Sequence, residues 1–496
     1  MPRLHPSLFQ RAGRISPHLA TLLPACRTVE SAQTELRWIR RHVLETPPEP
    51  ASHRRNNEIP RPSPGNGKHR ARARTARVAG FAARPSSTTT NLSSGGRPDT
   101  EDRIARLVAR RGAGEPLQYI LGTQPFGDLE MLCEKGVLIP RPETEAWASM
   151  LADLALSSRD HIHIVDEGKD GEDVRVLDLC SGTGCIGLSL YARGMALRRQ
   201  GASEGKGKGK GEGAVARSNP PLRVFGFDVE PRAVRLGRKN LRHNFSRRHL
   251  SRPGHSDIII IIEEEAVKQA VTFEQADIFT DEWMASLEHN NNNDNPSSKY
   301  EDEDEDEHKA PSRRRRRRRI DVLVSNPPYV SQRGFETDTG RNVRNYEPKL
   351  ALVPSPSPSP SPACAPEDIF YARLLEIADT LRPRIAAFEV GDMAQAIRVV
   401  EMAIARRCRH LHPDSSSSSQ REDGEDGDAA RWDVLEIWRD WPDCLPSDAE
   451  EDGILVCGRK VPVRGSGHGR VVFLSEGPIL RNRFTNRGFR RAFYTE

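Results

Sequence analysis

The stretch Val174–Leu190 constrains the fold more than any other part of the chain. An apolar run, Val174-Arg175-Val176-Leu177-Asp178-Leu179, passes through the small residues Cys180-Ser181-Gly182-Thr183-Gly184 and continues at once as a helix from Cys185. A strand that feeds a helix returns to its sheet by a crossover, which favours parallel pairing. Further apolar runs repeat the unit: Leu222–Asp228 with a helix over 231–244, Val271–Phe279, Ile320–Ser325, and Ile385–Gly391 between helices over 369–381 and 394–405. Trp432–Trp438 and Val471–Leu474 complete the set. Strands alternating with helices predict an α/β fold with a doubly wound, mainly parallel sheet.

The run Ile320–Ser325 stops at Asn326-Pro327-Pro328-Tyr329. Proline has no N–H to give a sheet ladder, so the strand must end there in a stiff loop. That loop lies at the strand's carboxyl edge, where open α/β sheets bind ligands. Its carbonyls and the Asn326 amide oxygen are acceptors that suit a planar NH2 group, with Tyr329 packed against its face. A bare Asn-Pro pair is more often an ordinary turn exit, but four such residues after a strand are much more specific.

The turn Cys180–Gly184 lets backbone approach a ligand, and the following helix start offers free N–H donors. Such a turn can cradle a dinucleotide phosphate or merely pack tightly. The spacing is not Gly-x-Gly-x-x-Gly and there is no Walker lysine, which argues against NAD and ATP. Asp178, Asp228 and Asp277 each fall near the end of a successive strand. One terminal Asp is usually a cap. Three in series are harder to dismiss, with Asp228 placed for ribose hydroxyls and Asp277 for an adenine amino group.

Composition limits the rest. Of 496 residues only 36% are hydrophobic, and the net charge of +5 hides an acidic block at 301–307 beside seven arginines at 313–319. Those tracts read as a solvated insertion in preference to a nucleic-acid site. Eight cysteines without a Cys-x-x-Cys pair predict neither a disulfide framework nor a metal site. No apolar stretch approaches the ~20 residues of a membrane helix, so a soluble protein is expected. Residues 1–29 carry four arginines and no acid, a composition shared by mitochondrial presequences and by a basic helical start to a folded domain. Apolar spacing then predicts a helix over 30–45 and a partner helix around Ile104, Leu107 and Val108. Residues 46–98 between them have too few large apolar side chains to offset ordering entropy and are expected to be disordered. Glu115–Gly122 and Gly136–Pro140 read as two strands of a hairpin joined through Phe126-Gly127.

Taken together, Glu115–Gly122, Val137–Glu145, Val176–Leu190, Phe227-Asp228, Asp277, Asn326–Tyr329 and Tyr346–Leu352 resemble the class I S-adenosylmethionine-dependent methyltransferases. In particular, they resemble the release-factor protein-glutamine N5-methyltransferases. The resemblance implies a seven-stranded Rossmann-like sheet. It divides the chain into a helical substrate-docking domain over 1–112, a hairpin linker over 113–140, a methyltransferase domain over 141–476 and a tail over 477–496. It implies S-adenosyl-L-methionine as cofactor, held by Asp178, Cys180, Ser181, Gly182, Thr183, Gly184, Asp228, Asp277 and Asn326, with no metal. Asn326, Pro327 and Tyr329 match the positions that hold the substrate amide, with Pro328 and Glu143 beside them. Cys180 stands where many methyltransferases have glycine. The implied substrate is the glutamine of the Gly-Gly-Gln motif in a peptide chain release factor, and the implied site of action is the mitochondrial matrix, with the cytoplasm as alternative. A monomer with no membrane attachment is expected. The adenine amino group has the same shape, so an adenine-N6 DNA methyltransferase is the alternative enzyme. A non-catalytic scaffold using the charged tracts is the third reading.

Overall fold

The computed structural model describes residues 4–46, 100–156, 173–204, 222–246, 264–289, 320–355, 364–410 and 432–476. Residues 47–98, 290–319, the Ser-Pro repeat at 356–363, the Ser-rich acidic stretch at 413–430 and the tail from 477 therefore lie outside the described residues. The chain forms two compact units, residues 1–114 and 115–496.

The first unit packs four helices, α1 (Pro6–Ile15), α2 (Pro17–Cys26), α3 (Val29–Glu45) and α4 (Thr100–Gly112). Ser16 and Thr28 start α2 and α3 by accepting backbone N–H bonds from His18 and Ser31. Ala32, Leu36, Ile39 and Val43 bury one face of α3, Ile104 and Val108 that of α4, and Leu19, Leu22 and Leu23 that of α2. Arg111 grips Glu35 with two hydrogen bonds, at 2.6 and 3.0 Å. The basic segment before residue 29 thus supplies core to this unit, as the helical-start reading requires.

The second unit opens with a short helix, α5 (Leu117–Leu121), and an antiparallel pair, β1 (Thr123–Phe126) and β2 (Leu129–Leu132). This differs from the expectation of strands at 115–122 and 136–140. Gly122 at φ +82° ends a helical turn that buries Leu117, Tyr119 and Ile120, and a run this short fits either period. The pair instead turns at Gly127, φ +57°, and docks on α8 (Pro231–Phe245), where Asn240 Oδ1 accepts from the Leu132 N–H at 2.6 Å.

The remaining elements are α6 (Pro142–Leu156), β3 (Val174–Leu179), α7 (Cys185–Glu204), β4 (Leu222–Asp228), then α8, α9 (Glu264–Ala270), β5 (Val271–Gln275), α10 (Ser286–His289) and β6 (Val322–Ser325). After them come α11 (Gln332–Thr337), α12 (Arg341–Tyr346), α13 (Ile369–Leu381), β7 (Ile385–Glu389), α14 (Met393–His410), β8 (Val434–Trp441), β9 (Gly453–Val456), β10 (Arg459–Arg464) and β11 (Ser466–Ser475). The sheet order is β5-β4-β3-β6-β7-β11-β8-β10-β9. Its first five strands are parallel, and β11 runs antiparallel between β7 and β8. One face buries Val176, Val324 and Ala387 against α6, α7 and α8; the other buries Leu177, Leu323 and Phe388 against α13 and α14. Both faces are covered, which is why these strands are apolar throughout instead of alternating.

The seven expected strands are extended by two. Cys457 and Gly458 both have positive φ, 48° and 76°, the geometry of a two-residue hairpin turn, and they fold β9 back on β10. The segment between Trp438 and the last strand thereby becomes sheet, with Val456, Val461 and Val463 buried.

Candidate active site

Chain order reverses direction in the sheet at β3, where β4 leaves on one side and β6 on the other. Ligands bind at such a switch point, outside the carboxyl ends of the strands. Leu179 pairs with both Phe227 and Ser325, and Ser325 with Phe388, so the residues that follow β3, β4, β6 and β7 leave the sheet side by side. The Ser325 hydroxyl donates to Leu179 O at 2.7 Å and ties the two central loops at their roots.

The β3 loop is bent by three left-handed residues, Cys180 (φ 60°), Gly182 (φ 55°) and Gly184 (φ 78°). A side chain on Gly184 would meet the Phe273 ring at 2.6 Å, so that glycine serves packing. One on Gly182 would meet nothing within 4 Å, so that backbone faces open space. The Gly182 N–H donates to Asp228 Oδ2 at 2.8 Å, and the Glu230 N–H to Asp228 Oδ1 at 2.9 Å. Each carboxylate oxygen keeps a lone pair for another donor. Asp178 is fully buried beneath the loop, where Oδ2 accepts the Gly187 N–H at 3.0 Å. Asp178 Oδ1 and the Ser181 hydroxyl are buried without a hydrogen-bond partner among the described residues. Such atoms are costly to leave unpaired, and a ligand carrying cationic and hydroxyl donors fits them. Burial pushes the Asp178 carboxyl up to about 7, and pushes those of Asp228 and the Cys180 thiol upward as well. Burial thus favours the Cys180 thiol over its thiolate. Thr183 is buried and gives its carbonyl to Asn240 Nδ2 at 2.9 Å.

After β6, Pro327 and Pro328 are buried, while Asn326 and Tyr329 are half-buried. Asn326 Nδ2 donates to the Thr144 hydroxyl at 3.4 Å. Thr144 donates to Glu389 Oε2 at 2.6 Å, the Trp147 indole donates to the same oxygen at 2.8 Å, and the Tyr329 hydroxyl donates to Oε1 at 3.2 Å. Gln395 Nε2 reaches the Tyr329 carbonyl at 3.3 Å, and its Oε1 accepts from the Gly391 N–H at 2.8 Å. The loop is thus held at both ends. Burial raises the Glu389 carboxyl, and the three donors oppose that rise.

Of the other candidates, Asp277 sits two residues past β5, exposed, and accepts the Phe279 N–H at 3.0 Å, as a turn cap does. Glu143 is half-buried in the first turn of α6. The neighbouring Arg141 donates to Glu347 Oε1 at 2.7 Å, and Glu347 Oε2 accepts from the Ile139 N–H at 3.1 Å, which anchors the segment before α6. Sequence reading missed Thr144, Trp147 and Glu389. Glu389 had a signal: it ends an apolar strand with an acid, as Asp228 does.

No protein-family model matches the chain. Among curated proteins it is similar to the mitochondrial MRF1 N(5)-glutamine methyltransferase MTQ1 of Saccharomyces cerevisiae, with 26% identity over 353 residues, 71% of this chain and 68% of that protein. It is 26% identical over 294 residues to the probable MRF1 mitochondrial N(5)-glutamine methyltransferase mtq1 of Schizosaccharomyces pombe, covering 59% of this chain and 69% of that one. A release factor glutamine methyltransferase of Bacteroides thetaiotaomicron is 26% identical over 304 residues, covering 60% and 72%.

Proposed function

We propose, on the premise that this chain belongs to the release factor glutamine methyltransferases it resembles, that it methylates the side-chain amide nitrogen of a release-factor glutamine. S-adenosylmethionine is the cofactor, and when bound it supplies an activated methyl group on sulfur. The residues at hand suit it: Asp228 keeps acceptor capacity for ribose hydroxyls, Gly182 leaves room for close backbone approach, and Asp178 Oδ1 and Ser181 are enclosed polar atoms awaiting donors. Cys180, Thr183 and Gly184 shape the turn, and the adenine amino group is assigned to Asp277 on the family resemblance alone.

The observation that carries the reading is the direction of the Asn326 amide. Its NH2 is taken by Thr144, so its oxygen is left to accept an N–H from outside. Together with the Pro327 carbonyl it would grip both hydrogens of a primary amide, with Tyr329 against the flat face, and Pro328 and Glu143 close by on the substrate side. An amide nitrogen is a weak nucleophile, so alignment supplies the rate. The two acceptors also favour the positive charge that grows on nitrogen during transfer. No side chain need take the proton during transfer; it leaves to solvent afterward.

The substrate glutamine is that of the Gly-Gly-Gln motif, and the helical unit is the proposed docking element for the release factor. The relatives' names support a mitochondrial setting. The composition of residues 1–29 adds nothing to that, because α1 and α2 have a structural use. We take the protein to act as a monomer. No helix among the described residues is long and apolar enough to cross a membrane. The test offers labelled methyl donor with a release factor containing Gly-Gly-Gln, with its Gly-Gly-Ala variant, or with duplex DNA. Label on the first alone is expected; label on DNA would overturn the reading in favour of an adenine enzyme.

A further inference from the structure

We infer that Thr144, Glu389 and Trp147 form a one-way hydrogen-bond relay whose purpose is to fix which end of the Asn326 amide faces the substrate. This rests on the proposed role of Asn326. An asparagine amide is nearly symmetric in shape, and its two orientations differ only in which end donates and which accepts. In one, Asn326 accepts from a substrate NH2. In the other, it meets that NH2 donor to donor, and the site cannot hold its substrate.

The polarity is forced from the inner end. The Trp147 indole can only donate, and it points at Glu389 Oε2 from 2.8 Å. As a carboxylate, Glu389 can only accept at that oxygen. Thr144 reaches the same oxygen at 2.6 Å and so must spend its single proton there. The Thr144 oxygen is then left as an acceptor, and the group it meets, 3.4 Å away, must be the Asn326 NH2. The Asn326 oxygen is turned outward. Thr144 and Trp147 stand three residues apart on α6 and so share one helix face. Trp147, Thr144 and Glu389 are all buried, at 0%, 1% and 1% exposure, which keeps water from breaking the order. The other carboxylate oxygen accepts the Tyr329 hydroxyl at 3.2 Å, so one acid braces two residues of the loop. These are positioning residues, because none of them is placed to touch the substrate.

The relay depends on acceptor direction and not on net charge. Glu389→Gln can keep its oxygen toward Trp147 and Thr144 while its NH2 faces the Tyr329 oxygen. Thr144→Val keeps the shape of Thr144 but removes the link to Asn326. Thr144→Val should lower kcat by about ten- to a hundredfold, the usual penalty for a misplaced positioning group, with an unchanged Kd for S-adenosylmethionine. Thr144→Ser and Glu389→Gln, which keep the relay, should each retain most of the parent's kcat. A Thr144→Val enzyme that turns over like its parent would overturn the inference. A neutron structure of the full chain gives the Asn326 orientation without turnover. Deuterated Nδ2 toward Thr144 is expected, and Oδ1 toward Thr144 would overturn the relay even if the enzyme is active. If the parent labels no release factor, the functional reading fails separately and the neutron result still decides this one.

Discussion

Two glycines in one loop illustrate how the same residue type serves different ends. Gly184 is required by packing against Phe273, whereas Gly182 leaves space in front of its backbone. Gly182→Ala should fold with a loss of about 1–2 kcal/mol from its left-handed backbone, yet bind S-adenosylmethionine at least tenfold more weakly by calorimetry. Gly184→Ala should lose more stability than Gly182→Ala in urea, because it adds a clash to the same backbone strain. Asp178 gives a pH signature. Its pKa of about 7 in the fold exceeds the ordinary value near 3.9, so the folded state binds this proton more tightly. Its contribution is full below about pH 4 and is lost as pH rises through about 7. Urea midpoints of the cofactor-free protein should carry that decline, and Asp178→Asn should remove it. Asn326, Gly182 and Asp228 could be picked out in the sequence because each sits in a short string whose chemistry is local. Thr144 and Glu389 could not, because they meet across 245 residues of chain.

At the level of elements, periodicity identified the long helices and the apolar parallel strands, and failed where runs are short. Leu117–Leu121 satisfies one helical turn as well as a strand, and Gly122 decides between them. The β9–β10 hairpin escaped notice because its turn is Cys457-Gly458, not Asn-Gly, and because its flanking segments are brief. Gly458 has positive φ and open space around it, so Gly458→Ala should cost about 1 kcal/mol through backbone strain alone. Its cofactor affinity should match the parent, since β9 and β10 are the far edge of the sheet from β3. A large loss of affinity in that variant would show that the extension reaches the site.

At the scale of the whole molecule, the sheet order does what no single motif can. By placing β3 beside both β4 and β6, it brings together the glycine turn after Cys180, the acid Asp228 and the Asn326 loop. The doubly wound class was legible because strand and helix alternate along the chain, and the low-complexity tracts interrupt the pattern without changing its order. The decisive measurement is single-turnover methyl transfer to a Gly-Gly-Gln release factor by Asn326→Ala beside the parent, with cofactor affinity measured on both. A fall of about a hundredfold in the transfer rate with unchanged affinity is predicted, the size expected when one acceptor for developing charge is removed. Transfer at the parent's rate would contradict the account.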